Sequence, residues 1–171
     1  MPKKVYNNVE DHRLIDNNRV VEDVTSVNLP TVEHPTVDID AAGMAGVVSM
    51  PNSVKVNAME FTVNHNNGEN CARLADSGKH TIELRVVRQR YTVAKDEIEH
   101  EPVKYRITGV HKSTEDGTVE AGNPLGSSDK YSVLRYEKIM NGTTVTLIDV
   151  MTGTIKINGK DITNVVQNML N

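Results

Sequence analysis

Asn141-Gly142 is the feature that most constrains how this chain folds, because it joins two strand-like segments. It is preceded by YSVLRYEKIM and followed by TTVTLIDVM, and TIKI comes after a further turn at Thr152-Gly153. Asn-Gly supplies the two positive φ angles that a type I′ turn needs, so the segments are expected to pair as an antiparallel hairpin. This part of the chain therefore predicts antiparallel β-structure.

Other strands are predicted where apolar residues alternate with polar ones. The segment VKYRITGVH (residues 103–111) alternates cleanly, and HTIELRVVRQRYTV (80–93) places Ile82, Leu84 and Val86 on one face. A first strand is expected over residues 19–29, where β-branched residues dominate, and in SVKVNAMEFTVNH (53–65) the apolar parity changes midway, which predicts a bulge or bend. We expect about seven strands in total.

Two helices are predicted, one internal and one at the C-terminus. Cys71, Leu74 and Ala75 are spaced i, i+3, i+4, which indicates a short helix over residues 69–77. Asp161 is suited to cap a second helix whose apolar residues form one stripe: Ile162, Val165, Val166, Met169 and Leu170. We expect this stripe to be docked on the domain. The predicted fold class is mainly β, an antiparallel β-sandwich or barrel with one internal short helix and a C-terminal amphipathic helix.

The chain is predicted to form one domain with a loose N-terminal arm. Residues 1–18 are polar and form the arm, and residues 19–171 form the domain, with a projecting loop at about 30–51 and a long loop at about 112–130. The chain has no Trp and a single Phe, so its core must rest on Val, Ile, Leu and Met. Such a thin core gains from burial against partner subunits.

Composition also limits the function classes. A single cysteine indicates a reducing compartment, and neither a signal segment nor a long apolar run is present, so we expect a soluble protein made in a cytoplasm. A net charge of −4 with interspersed signs argues against nucleic-acid binding as the main activity. No Gly-x-Ser-x-Gly, no His-Glu-x-x-His and no Gly-rich loop with a phosphate-binding Lys occurs, so an enzyme is not predicted.

The segment HPTVDIDAAGMAG (34–46) differs from the strand-like runs around it. Asp38 and Asp40 form an Asp-x-Asp pair, but no third oxygen ligand follows at a spacing that would complete a metal site. Cys71 with His65 and His80 suggests a thiol nucleophile, yet a Cys on the apolar face of a helix is more often buried and inert. We therefore assign no catalytic, metal-ligating or cofactor-binding residue, and no cofactor.

Strand edges, a loose arm and flexible loops are the parts that a self-assembling protein needs. Within residues 34–46, Gly43 and Gly46 allow the chain to project and turn, and Val37, Ile39 and Met44 provide apolar surface to bury on a neighbour. Asp38 and Asp40 would pair across that contact or stay solvated. These seven residues are the predicted contact between copies of the chain, either between neighbouring subunits of a ring or between stacked rings.

The order of these features resembles the major tail tube protein of contractile-tailed bacteriophages and of phage-tail-like bacteriocins. The resemblance is carried by VDIDAAGMAG, by ITGVHK, by YSVLRY and by LIDVMTGTIKINGKDITNVVQNML, and it covers residues 18–171. It implies hexameric rings around a β-barrel lumen, stacked helically into a tube inside a contractile sheath. Such tubes are related in fold to the type VI secretion tube protein and to the tube of long non-contractile tails.

The resemblance also implies the partners. These are other copies of the chain, the sheath protein outside the tube, and the baseplate and tail terminator proteins. DNA would only pass through, without specific binding, and the subunit itself would bind no membrane. The location would be a virion tail or a bacteriocin particle, assembled in the bacterial host cytoplasm.

Two alternatives from other classes remain open at this point. A monomeric β-sandwich binding module, for example for carbohydrate, would need an exposed aromatic platform, for which six aromatic residues offer little material. A thiol hydrolase would lose its activity on Cys71→Ala, whereas a tube subunit would not.

Overall fold

The computed structural model describes residues 3–67, 76 and 78–171, and within them the chain is mainly antiparallel β-structure. The elements are β1 (Lys4–Asp16), β2 (Arg19–Val21), β3 (Val24–Asn28), β4 (Thr36–Ile39), β5 (Val48–Pro51), β6 (Glu60–His65), β7 (Lys79–Thr92), β8 (Glu97–Glu115), β9 (Ser128–Met140), β10 (Thr143–Asp149), β11 (Thr154–Ile157), β12 (Lys160–Asp161) and α1 (Ile162–Leu170). The predicted fold class is thereby confirmed, with more strands than expected.

Ten strands form one sheet, which branches at β9. The main path is β12-β11-β10-β9-β8-β7-β1-β2, and β6 joins the first half of β9 and carries β3 on its other side. The chain then turns from β2 into β3 through Glu22 and Asp23, and Asp23 has a positive φ of 65°. β2 and β3 are consecutive in the chain but do not pair with each other. The described strands therefore curl around the core without closing into a barrel.

The core lies inside this curl and is built from alternate residues of the strands. The predicted inward faces of β7 and β8 are confirmed, since Ile82, Leu84, Val86, Val103, Tyr105 and Ile107 are all buried. Phe61 and Tyr131, opposite each other on β6 and β9, stack with ring centroids 4.7 Å apart. Gly109 lies beside this pair, where a Cβ would come within 2.7 Å of the Ser132 carbonyl oxygen. A larger residue at this position would displace backbone.

The Asn141-Gly142 hairpin is confirmed. β9 ends at Met140, β10 begins at Thr143, and the two turn residues have φ angles of 49° and 79°. The TIKI strand is present as β11. The long loop is shorter than predicted, because β8 continues to Glu115 and β9 begins at Ser128, so that the loop covers residues 116–127.

Three predictions about the strands are corrected. The loose arm is wrong for residues 4–16, because these form β1 and pair with β7 along its whole length. The single strand over residues 19–29 is interrupted at Glu22 and Asp23 and gives β2 and β3. In the 53–65 segment only residues from Glu60 onward form a strand, and the first apolar parity is not part of the sheet.

The C-terminal helix is present, but its apolar stripe is not docked as predicted. Asp161 caps α1 by accepting a hydrogen bond from Asn164 N (3.0 Å). The helix follows β12 directly, so only its first turn reaches the sheet, where Ile155 N donates to Thr163 Oγ1 (3.4 Å). The rest of the stripe is exposed, and Met169 and Leu170 are each 81% accessible. The predicted internal helix over 69–77 lies outside the described residues, apart from Asp76.

Candidate assembly surface

β4 and β5 form a separate two-stranded hairpin with one apolar face. Thr36 pairs with Pro51, Val37 with Met50, Asp38 with Ser49, and Ile39 with Val48. Since side chains alternate between the faces of a strand, one face carries Val37, Ile39, Val48 and Met50 and the other face carries polar residues and Pro51. All four apolar residues are exposed, Val37 to 66%. An isolated two-stranded hairpin is marginally stable in water, so this face lacks the cover it needs.

The hairpin rises from a hydrogen-bonded stalk. Asn52 N donates to the Pro35 carbonyl (2.8 Å) and Asn57 N donates to the Glu33 carbonyl (2.8 Å). The His34 ring lies 2.6 Å, Nδ1 to O, from the Lys55 carbonyl. These bonds fix where the hairpin leaves the body. The segment predicted as an irregular loop over 30–51 is therefore an ordered pair of strands on a defined base.

The seven residues predicted as the contact divide between the strands and the tip. Val37 and Ile39 lie on the apolar face, and Asp38 lies on the opposite face across from Ser49. Asp40, Gly43, Met44 and Gly46 are in the tip, where Met44 N donates to the Ala41 carbonyl (3.0 Å) and Gly43 has a φ of 93°. Among the residues that the structure describes, neither Asp38 nor Asp40 belongs to a group of three metal-ligating side chains.

A second exposed apolar surface was not predicted from the sequence. We call it the helix patch, and it consists of Val150, Met151, Val165, Val166, Met169 and Leu170, all exposed. The turn after β10 and the helix lie together, because a Cβ on Gly153 would be 4.0 Å from Gln167 Nε2. Beside it is a cavity of about 310 Å³ lined by Val54, Lys55 and Val56 from the hairpin stalk and by Ile148, Asp149, Val150, Gly153 and Ile155.

The N-terminal half of β1 carries further exposed apolar residues, also missed by the sequence analysis. Val5, Tyr6 and Val9 lie on β1 where it extends past β2, and Ile98 lies at the start of β8. Two register shifts between β1 and β7 break the alternation here, so the sequence pattern carries little signal. The edge of β1 over these residues is unpaired within the described sheet.

Charged residues on the body mostly neutralise one another. On the outer face of β7, β8 and β9, Glu83 lies 2.6 Å from Arg85 and 3.7 Å from Arg106, and Arg106 also lies 3.4 Å from Glu137. Burial raises the pKa of Glu83, but the hydrogen bond from Arg85 and the neighbouring cations lower it more, so that its pKa lies below the usual value. This face offers mutually paired charges and not a uniform cationic surface.

A second network lies beside the Asn141-Gly142 turn. Glu101 is only 3% exposed, and it accepts hydrogen bonds from Arg88 (2.6 Å), Arg90 (3.2 Å) and Asn141 Nδ2 (2.9 Å). Burial raises the pKa of Glu101, but these hydrogen bonds and the two guanidinium charges outweigh it and hold the pKa below the usual value. The network ties β7, β8 and the hairpin turn together.

The histidines of the thiol hypothesis are engaged by carboxylates. His80 Nδ1 lies 3.1 Å from both carboxylate oxygens of Asp16, and its Nε2 lies 2.9 Å from the Asp76 carbonyl. His65 is buried, with Nε2 3.5 Å from Asp129. Both rings therefore serve as partners of buried acidic groups. Cys71 lies outside the described residues.

The aromatic residues form no exposed platform within the described structure. Phe61, Tyr105, Tyr131 and Tyr136 are buried in the core. Tyr6 is covered on one face by the Arg88 guanidinium, 4.8 Å from the ring centroid. This arrangement gives no support to the sugar-binding alternative.

A known protein family matches the part of the chain that carries these surfaces. The family model described as phage tail tube protein FII matches residues 12–170, which include the hairpin, most of the body and the whole helix patch. A search of curated proteins finds no match. No helix described in residues 3–67, 76 and 78–171 has the length and apolar character needed to span a membrane.

Proposed function

Because the chain belongs to the phage tail tube protein FII family, we propose that its copies form hexameric rings that stack helically into the inner tube of a contractile tail. Membership makes it a structural protein of a bacteriophage tail, one that assembles with copies of itself into a tube and resides in the virion tail. The six-fold ring and the contractile tail rest on the resemblance given by the sequence. The tube would conduct DNA or serve as the piercing tube of a bacteriocin.

The observation that carries the proposal is the uncovered apolar face of the β4–β5 hairpin. A monomer would gain nothing by holding Val37, Ile39, Val48 and Met50 in water on an ordered stalk. Burial of each such side chain contributes about 1.5–3 kcal/mol, so a neighbour that covers this face gains several kcal/mol per contact. We therefore assign Val37, Asp38, Ile39, Asp40, Gly43, Met44 and Gly46 to an inter-subunit or inter-ring contact.

The charge pattern supports passage of DNA without specific binding. Cations that hold phosphates need to be free of internal carboxylate partners, whereas Arg85 and Arg106 are paired with Glu83 and Glu137. A net charge of −4 adds weak repulsion of DNA phosphates at short range.

The protein partners follow from the same proposal. Outside the tube we place the sheath protein, and at its ends the baseplate and tail terminator proteins. The subunit itself would bind no membrane.

The test compares the wild-type protein with a variant lacking residues 41–46 of the hairpin tip. Negative-stain microscopy and analytical ultracentrifugation of the wild type should show rings or rods of uniform width, and rotational averaging of rings should give six-fold symmetry. The variant should remain folded by circular dichroism but make no long rods. A wild-type protein that stays monomeric at every salt concentration would refute the proposal, and normal rods from the deletion variant would refute the role of the hairpin.

A further inference from the structure

The helix patch is left largely uncovered by the part of the chain that the structure describes. The nine residues of α1 include no charged residue, and only Thr163 among them is buried. A helix shorter than about 12–15 residues is marginal in water, and most helical stability comes from packing of the apolar face. The capped first turn fixes where the helix starts, but the exposed stripe requires a surface from elsewhere.

The cavity beside the helix patch gives this surface a place where a side chain of another molecule can insert. Its walls come from the hairpin stalk on one side and from the β10–β11 turn on the other, and Val150 lines the cavity and also belongs to the helix patch. Its volume of about 310 Å³ is comparable to the smallest cavities that hold ligands, so it accepts an apolar side chain. The apolar surface therefore continues from the cavity onto the helix.

We propose that the helix patch and this cavity receive the β4–β5 hairpin tip of a second copy of the chain, with Met44 in the cavity. The inference rests on the proposed function and names the surface that the hairpin contacts. A contact that repeats into an open tube must join two different surfaces of the chain, because a self-complementary contact closes into a dimer. The hairpin and the helix patch are two such surfaces, because they share no residue.

Charge favours the same pairing. The hairpin carries Asp38 and Asp40, both exposed and without an ion pair to any residue that the structure describes. The receiving side carries exposed Lys55 at the cavity wall and exposed Lys160 just before the helix, and the one acidic residue of the cavity wall, Asp149, is paired with Arg135 (3.9 Å). Opposite charges at the rim of an apolar contact fix its register and suppress wrong pairings.

Disulfide crosslinking in assembled rods tests the pairing. Met44→Cys is combined with Val150→Cys, which lines the cavity, or with Met169→Cys or Leu170→Cys on the helix, and rods are oxidised and run on a non-reducing gel. At least one combination should give a ladder of covalent oligomers. Rods mixed from the matching single variants should give only dimers, and each single variant alone should give no product, which also controls for Cys71. Rods that form without any crosslink from residue 44 to the cavity or the helix would overturn the inference and leave the proposed function intact.

A substitution test decides the question if the cysteine variants do not assemble. Met169→Gln with Leu170→Gln replaces two exposed apolar residues, and Asn168→Gln is the matched control on the opposite side of the helix. The double variant should melt at the wild-type temperature but need at least about tenfold more protein to form rods. Rods at the wild-type threshold would overturn the inference, whereas a wild type that forms no rods at all would refute the proposed function as well.

Discussion

Val37→Thr weakens assembly without weakening the fold. The substitution keeps the branched shape and the β-propensity of the side chain and adds a hydroxyl. Full burial of a valine contributes about 1.5–3 kcal/mol, and Val37 has 66% of its surface left to bury, so its contact contributes about 1–2 kcal/mol. Since each 1.4 kcal/mol is a factor of ten, the critical concentration for rod formation should rise by about 5- to 30-fold.

The assay is sedimentation of rods over a dilution series, with the pellet checked by negative-stain microscopy. Val119→Thr is the matched control, because Val119 is 90% exposed in the 116–127 loop and belongs to neither the hairpin nor the helix patch. The free energy of unfolding should stay within about 0.5 kcal/mol of wild type for both variants. A Val37→Thr protein with the wild-type critical concentration would refute the assignment of the hairpin face as a contact. An equal loss in Val119→Thr would show that the effect is not specific.

Three further predictions concern the subunit itself. Gly109→Ala should cost about 1–3 kcal/mol in urea unfolding, because its Cβ would meet the Ser132 carbonyl at 2.7 Å, and an unchanged midpoint would contradict the close approach. Glu101→Gln should cost about 2 kcal/mol at neutral pH, less than the roughly 3–5 kcal/mol for a fully buried pair, because Arg88 and Arg90 are partly exposed. The pKa of Glu101 is lowered in the fold, so its contribution is present above the usual Glu pKa and is lost as pH falls through the folded value. Wild type and Glu101→Gln should converge in stability in acid, and a constant difference down to low pH would be inconsistent with this. Asp161→Ala removes the cap and should destabilise α1 by about 1 kcal/mol, seen as faster amide exchange in the helix, and unchanged exchange would argue against the capping role.

The strands that surround the core could be predicted because burial imposes alternation on them. On β7, the side chains of Ile82, Leu84 and Val86 face the core of the domain, and the polar residues between them face solvent. The Asn141-Gly142 turn was equally predictable, since its conformation is set by the two residues themselves. In these cases the conformation that the local sequence favours is also the one that the tertiary structure requires.

β1 and the helix stripe were mispredicted for different physical reasons. β1 is held by its backbone ladder with β7, and both of its faces are largely in water over residues 4–10, so no apolar pattern marks it. The stripe of α1 has the same sequence whether it packs on its own sheet or on a neighbour, and periodicity does not distinguish the two cases. Hydrophobic pattern reports that a surface is buried, but not by which chain.

The apolar face of the hairpin was predicted in part, whereas its role as a contact stays a prediction. Val37, Ile39 and Met44 were identified because their segment offers apolar surface and no chemistry. Val48 and Met50 complete the apolar face but were missed, because their position depends on the register with β4. The helix patch combines two segments, the turn with Val150 and Met151 and the stripe of α1, so the sequence showed the stripe but not the combined surface.

The long pairing of β7 with β8 has a mechanical consequence. β8 contains 19 residues and so extends about 60 Å, with β7 hydrogen-bonded to it from Lys79 opposite Val110 to Thr92 opposite Glu97. A pull along this direction loads the ladder bonds side by side, in shear, so that many must break at once. In the proposed assembly, by contrast, the contacts between copies would be made by short hairpins and a nine-residue helix. A stretched tube should therefore fracture between subunits, with each subunit still folded.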